Sequence, residues 1–372
     1  MGALSADDLE RTQAALDEHG GNVSAAAKAL GIGRTTMRHR VARLEEDDGF
    51  RVVARSTLYD KTTGEEKLQW VKESLDRART EELVRETIAA LTSDIPAAPK
   101  TPAPQKSDPN LLVAYQIGDA HLGAYAWGPE CSGGNFDLNI AERDLMAAVD
   151  RLIASTPDAE EAVIVNVGDW FHTDSSKPFT PASGNLLDTG DSRWPKVVSS
   201  GVKVQRKICE RALQKHKRVR LRNAKGNHDP HSAIILDVAM QAYFESNPRL
   251  IVEDSPRDLW HFRFGSNLIG ITHGHNIKPE NLPGVLAVDA REEWGQCEFR
   301  YIWVGHFHRK QSLDVMGTRV IVWPTLAAND KWHSDKGYRS QKEMCALVLH
   351  KDFGVVEEHT AGLKRVRETV NG

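Results

Sequence analysis

From Leu111 onward, six short apolar runs recur along the chain: LLVAYQI, AVIVNV, RVRLRN, NLIGIT, YIWVG and TRVIVW. They are short and rich in β-branched or aromatic residues, which predicts buried strands rather than helices. Amphipathic stretches lie between them. Leu145, Ala148, Val149 and Leu152 mark the buried stripe of one helix. Val204, Ile208 and Ala212 mark a second, whose outer face is strongly basic. Strands alternating with helices predict an α/β domain.

The chain has 372 residues, enough for that core and a further domain. Residues Ile95 to Pro109, IPAAPKTPAPQKSDP, lack apolar periodicity and read as a semi-rigid linker. The expected division is a small helical domain over 1–93, a linker over 94–109 and the α/β domain over 110–372. No internal repeat is evident. Hydrophobic content of 40% and charged content of 27% suit a soluble globular protein. No apolar run reaches membrane-spanning length, and MGALSADDLE lacks the order of a signal peptide. Cys131, Cys209, Cys297 and Cys345 are far apart and form no CxxC pair, so a reducing cytoplasm is expected. A net charge of −4 means that any nucleic-acid binding must come from local patches.

One such patch lies in GNVSAAAKALGIGRTTMRHRVARL. Val23, Ala27 and Leu30 fall at helical spacing, as do Met37, Val41 and Leu44, and Asn22 is placed to cap the first helix. Gly31-Ile32-Gly33 allows only a tight turn between them. Two short helices so joined form a helix-turn-helix, and this stretch resembles the DNA-binding unit of the Fis type. Arg34, Thr35, Thr36, Arg38, Arg40 and Arg43 on the second helix are the expected DNA contacts, with no acid from Lys28 to Leu44. The competing reading is a helical hairpin used for packing, favoured by the acidic first helix and the acids from Glu45 to Asp48. Beyond it, RVVARSTLYDKTTGEEKLQWVKE predicts a β-hairpin wing turning at KTTGE, and Arg77 to Leu91 a helix.

Five polar patches stand at the predicted strand ends. QIGDAHLG carries Asp119 and His121 two apart; on extended chain such residues point the same way. NVGDWFH carries Asp169 and His172, KGNHDPH carries Asn227, His228 and Asp229, ITHGH carries His273 and His275, and VGHFH carries His306 and His308. Singly, each reads more readily as a surface or hydrogen-bonded group. Together they supply the oxygen and imidazole donors that first-row metals prefer.

DxH, GDxxH, GNHD, a later His and GHxH, in this order, are the motifs of the calcineurin-like metallophosphoesterases, which Leu111 to Phe353 resemble. That resemblance implies a four-layer α/β/β/α sandwich of two mixed sheets, with strand-end loops holding two divalent metals. Mn2+ is the first candidate; Fe, Zn and Ni are others. By position, Asp119, His121, Asp169 and His308 resemble the ligands of one metal. Asp169 would bridge to a second, completed by Asn227, His273 and His306. His228 resembles the histidine that contacts phosphate and protonates the leaving oxygen. Asp229 would orient it or merely stabilise the turn. His at position 172 resembles the nuclease subunit of double-strand-break repair complexes, which implies a phosphate contact; the alternative is a hydrogen-bonding partner of Asp169. His231 and His275 stay unassigned.

Charge supports phosphate chemistry independently. Two divalent cations, two aspartates and one bridging hydroxide leave roughly one positive charge, suited to an anionic ester. Asn227 ligates without cancelling it. The long stretch Thr173 to Gly201 reads as a lid or substrate wall, with Arg193 and Trp194 placed to meet a phosphate and a base. The basic run Lys203 to Lys225 offers a path for a polynucleotide. Three functions follow. The first is a metal-dependent phosphodiesterase, foremost a DNA nuclease brought to DNA by its N-terminal unit. The second is a phosphatase or cyclic-nucleotide-type diesterase with that unit regulatory. The third is a DNA-binding regulator with an inactive phosphoesterase domain. The fusion is similar to proteins of phages and prophages, which implies a bacterial cytoplasm. A homo-oligomer is compatible with the sequence.

Overall fold

The structure, a computed structural model, describes residues 6–19, 22–44, 50–59, 66–75, 98, 101–190 and 193–371. The chain divides into two compact units, Met1–Ala89 and Ala90–Gly372.

In the first unit, α1 (Ala6–Glu18), α2 (Val23–Ala29) and α3 (Arg34–Leu44) pack around Ala15, Ala26, Ala27 and Met37, with Val23, Leu30 and Val41 at the edge. Asn22 caps α2 by accepting from the N–H groups of Ser24 and Ala25, both at 3.1 Å. Gly31 takes φ +67° in the turn before α3, a backbone state that a side chain disfavours. β1 (Phe50–Tyr59) and β2 (Glu66–Leu75) pair antiparallel, as the wing reading expects. The KTTGE turn, the acids at 45–48 and the helix expected over 77–91 lie outside the described residues.

The second unit holds two mixed sheets. β3 (Asp108–Ile117), β4 (Ala159–Asn166), β5 (Arg218–Asn223) and β6 (Leu250–Glu253) run parallel. β12 (Glu343–His350) and β13 (Gly354–Gly362) join them antiparallel in the order β13-β12-β3-β4-β5-β6. In the other sheet, β8 (Asn267–Thr272), β9 (Phe299–Val304) and β11 (Thr318–Val322) are parallel. β7 (Trp260–Phe264) and β10 (Gln311–Val315) close its edges antiparallel, in the order β10-β11-β9-β8-β7.

The side chains divide these sheets into layers. Leu112, Val163 and Leu347 of one sheet meet Ile269, Trp303 and Ile321 of the other in a shared core. Alternate residues on the second sheet, Leu268, Ile302, Val304 and Val320, pack instead on Leu282 and Leu286 of α7 (Leu282–Asp289). The period-two alternation thus sends successive side chains to opposite faces. α4 (Leu138–Ser155), α5 (Trp194–Lys215) and α6 (Ser232–Phe244) contact the first sheet, so the order is α/β/β/α, as expected.

All six expected strands are present. The lid reading is corrected in part: Trp194 to Gly201 belong to α5, where Pro195 fits the first turn because its missing N–H would have had no partner there. Trp194 Nε1 donates to the Thr173 carbonyl (3.2 Å), tying the loop to itself instead of offering a base contact. Several cations of the basic run from Lys203 have partners within the chain. Arg206 lies over the Tyr243 ring, Arg211 pairs with Asp150, Lys217 with Glu160, and Arg218 with Glu160 and Glu161, while Arg222 is fully buried on backbone carbonyls. The end of the proline-rich stretch lies along this unit: Ala98 N–H donates to the Tyr243 carbonyl, and Arg249 donates to that of Thr101. No helix among the described residues is long and apolar enough to cross a membrane.

Candidate active site

The polar patches follow the carboxyl ends of β3, β4, β5, β8 and β9, where parallel strands leave open loops. The turns there are sharp. Asp119, His121, Asp169, His306 and His308 all have positive φ, between +25° and +68°. Among the described residues only Met316 joins them in this state without being glycine. Such backbone costs on the order of 1–3 kcal/mol per residue and persists where surrounding structure imposes it.

Glycines give the loops room. A Cβ on Gly226 would fall 1.9 Å from Asp169 Oδ1 and 2.3 Å from its backbone nitrogen, so the residue before Asn227 must lack a side chain. Gly168 has φ +102°, and a Cβ there would lie 2.6 Å from His273 Nδ1.

The patches converge in three groups. Asp119, His121 and His308 form one, Asp169, His273 and His306 a second, and His121 also meets His172 and His228, with donor atoms in each within 4.8 Å of one another. His121 Nε2 lies 3.0 Å from His308 Nε2, and Asn227 Oδ1 lies 3.1 Å from His273 Nε2. Asp169 Oδ2 is 3.2 Å from His273 Nε2 and 3.9 Å from His121 Nε2, between the first two groups. Asp119, His121, Asp169 and His273 are buried; Asn227, His306 and His308 are partly open. Thus all seven expected ligands meet at one place.

Their surroundings set direction and protonation. His273 Nδ1 donates to the Val167 carbonyl (2.8 Å), leaving Nε2 for Asp169 and Asn227. Asp119 accepts from His306 N–H at 2.9 Å, and Thr325 Oγ1 donates to the Asp119 carbonyl at 2.6 Å. Burial lowers His121 well below the ordinary histidine range, with like charge from His228 adding to it. Burial also lowers His308, helped by Lys342, and takes His306 down to about 4. These rings therefore keep the neutral form, which alone offers a lone pair to a metal. Burial pushes Asp119 up to about 7. Against the same penalty, His273 and His228 hold Asp169 well below its ordinary range. His273, despite burial, rises to about 9 on the charge of Asp169. Two buried carboxyls thus call for positive charge, and a single imidazolium meets that demand only in part. This donor set fits divalent cations.

His228 N–H donates to Asp169 Oδ1 at 2.9 Å, and its ring Nδ1 lies 2.9 Å from the His172 carbonyl oxygen. The loop therefore fixes the imidazole by one nitrogen and leaves the other to the cleft. Asp229 is corrected as a partner of that ring. Its carboxylate accepts from the backbone N–H groups of Gly226, Asp169 and Phe171, all within 3.2 Å. It staples the β4 and β5 loops together. His172 does not pair with Asp169: its Nδ1 lies 3.0 Å from His121 Nδ1, and its buried Nε2 has no hydrogen-bond partner. His231 is held by Asp174 (2.5 Å), and His275 is exposed 5.3 Å from His273.

Sequence reasoning missed the third wall of the site. The segment after β11 brings Asp330, Trp332, His333 and Tyr338 into the same cleft, of about 560 Å3. His333 stacks on His308 with centroids 5.2 Å apart, and its Nδ1 lies 2.7 Å from Asp330 Oδ1. The signal, an Asp and a His following the predicted strand TRVIVW, was present but fits no family motif.

In the first unit, Arg34, Thr36 and Arg38 are exposed on α3, opposite in character to buried Met37. Arg40 is corrected as a DNA contact: its guanidinium pairs with Asp8 of α1 at 2.8 Å and is largely covered. Thr35 and Arg43 lie on the same helix, with side chains outside the described set.

Residues 10–44 match the Fis family of bacterial regulatory proteins. No protein of curated function matches the chain in sequence. Solved structures similar to it include a predicted phosphoesterase from Streptococcus pneumoniae, with 11% identity and TM-score 0.27 over 68% of this chain and 98% of that one. An archaeal phosphodiesterase has 12% identity and TM-score 0.34 over 67% and 99%. Zinc-bound Vps29 from Entamoeba histolytica has 12% and 0.29 over 68% and 99%. At such TM-scores none adds to what the sheet order and layering establish. The chain therefore joins a helical unit that matches the Fis family over residues 10–44 to a two-sheet α/β unit that gathers His and Asp donors at its strand ends.

Proposed function

We propose that the chain is a two-metal phosphodiesterase acting on nucleic acid, DNA foremost, in a bacterial cytoplasm, with residues 10–44 bringing it to DNA. One observation carries the reading: two His/Asp donor groups share a cleft with His228, and Asp169 lies between them. Asp119, His121, Asp169 and His308 would hold one cation, and Asp169, Asn227, His273 and His306 the other; Mn2+ is the first candidate. When bound, such a pair supplies Lewis acidity and acidifies a bound water.

The remaining work belongs to side chains. His228, fixed through Nδ1 by the His172 carbonyl, carries a proton on its other nitrogen and delivers it to the leaving oxygen. The His172 ring buttresses His121. Asp229 keeps the two loops at the spacing that this transfer needs. A phosphate contact by the His172 ring is the finer alternative, because its Nε2 has no partner.

The test offers the purified chain, loaded with Mn2+, single- and double-stranded DNA, RNA, a simple phosphodiester and a simple phosphomonoester. Asp169→Asn and His228→Ala variants run alongside. Metal-dependent cleavage of DNA that both variants lose is the expected result. Hydrolysis of the monoester alone would overturn the nuclease reading. A cleft of about 560 Å3 also suits one small ligand, which favours a cyclic-nucleotide-type diesterase as the second reading.

A further inference from the structure

Large apolar side chains on a protein surface cost free energy unless something covers them, and here several gather around one cleft. Trp332 is 55% exposed, Tyr338 41% and Tyr125 42%, and all three line the cleft that holds the donor groups. Their arrangement is ordered. His308 stacks on His333 (5.2 Å, 19°), His333 meets Trp332 and Tyr338 edge-on (4.9 and 5.4 Å), and Trp332 and Tyr338 stack on each other (5.9 Å, 26°). A row of rings thus starts at a donor histidine and ends in solvent.

The segment carrying them is braced. Asp330 accepts from His333 N–H at 2.8 Å and caps the short turn of helix over Lys331–Asp335. Asn329 donates to the Tyr338 carbonyl at 2.7 Å, and buried Ser334 accepts from Ser132 N–H at 2.9 Å. Exposure of Trp332 and Tyr338 is therefore built into the fold. The same segment bears Lys331, Lys336 and Arg339 against the acids Asp330, held by His333, and Asp335, paired with Lys331 at 2.8 Å, which leaves Lys336 and Arg339 as its cations beyond those pairs. Flat apolar faces flanked by positive charge match a nucleobase on its phosphodiester backbone.

We propose that Trp332 and Tyr338, which line the same cleft as Tyr125, form a stacking subsite for a base next to the phosphate being cleaved. The occupant is a single-stranded or unpaired nucleotide, because a base in a duplex offers no free face. The proposal rests on the phosphodiesterase reading for its placement, but base binding can be measured without turnover.

The experiment titrates the Mn2+-loaded full chain with a phosphorothioate-linked thymidine trinucleotide and with the same backbone lacking bases. The base-bearing ligand is expected to bind about tenfold more tightly. Trp332→Ala and Tyr338→Ala should bring the two affinities within about twofold of each other, while Trp332→Phe keeps most of the preference. Equal affinity of the unaltered chain for both ligands overturns the subsite, as does a preference that survives in both alanine variants. Diester hydrolysis without base preference sinks the subsite and keeps the proposed function. Base preference without hydrolysis of any ester does the reverse.

Discussion

The helix-turn-helix and the strand-end site both rest on polar residues in short motifs, yet they hold them in opposite ways. α3 buries one face and exposes the other, so Arg34 and Arg38 are free to be exchanged without touching the core. Of the strand-end residues, Asp119, His121 and Asp169 are buried and bent into positive φ, and hydrogen bonds such as His228 N–H to Asp169 and His306 N–H to Asp119 join their loops to others. Single substitutions therefore act differently in the two places. On a surface helix they subtract one contact; in the buried cluster they remove a charge, a loop position and a proposed metal donor together.

Asp169→Asn presses that contrast hardest. It removes the anion placed between both groups, and turnover should fall by about 10³-fold or more, with loss of bound metal seen by calorimetry. His228→Ala should lower turnover about 10²–10⁴-fold while bound metal stays, since the ring is no proposed ligand. Retained metal with retained turnover would remove His228 from the mechanism. Gly226→Ala introduces no charge, yet its Cβ must displace Asp169, so a stability loss of about 1–3 kcal/mol in denaturant titration is expected, with impaired metal binding.

Acid should act on the second unit through a residue far from the site. His216 is buried and held neutral between the Tyr115 hydroxyl (2.8 Å) and the Ala159 carbonyl (2.8 Å), and burial takes it down to about 4. The folded state resists a proton that the unfolded chain accepts near 6.5. Its contribution is therefore intact above pH 6.5 and lost as pH falls through about 4, on the order of 3 kcal/mol in all. His216→Gln should flatten that part of the stability profile.

The smallest effects belong to the helix-turn-helix. Arg38→Ala should weaken DNA binding severalfold and reduce the salt slope by about 1, leaving stability unchanged. Arg40→Ala should do the opposite, costing up to about 1 kcal/mol through the lost Asp8 pair, read by hydrogen exchange in α1 and α3.

The sequence made some of this architecture plain and hid the rest for physical reasons. Strands with continuous apolar runs were legible because both of their faces are buried. β12, EMCALVLH, is buried too, but it follows a long irregular segment and no motif draws attention to it. β7 and β10 are edge strands with half-polar faces and carry little pattern. The Asp and His groups that converge were legible because their motifs stand at predicted strand ends. The opposite error came from charge: Arg40 looks solvated in sequence, while Asp8 pairs with it in the fold and leaves it largely covered. Of the two roles that the sequence leaves open for Asp229, the structure favours the turn-stabilising one, because three backbone donors surround its carboxylate. Trp332 and His333 were invisible as site residues because only the fold brings them to His308.

In the proposed function, the groups Asp119/His121/His308 and Asp169/His273/His306 form one metal centre that cleaves phosphodiesters. Stripping the chain of metal and titrating Mn2+ back while following cleavage of a DNA oligomer tests it most directly. Activity absent in the stripped protein and restored in full at about two equivalents per chain is the predicted result. Cleavage that persists in the stripped protein, or none at saturating metal, would contradict it.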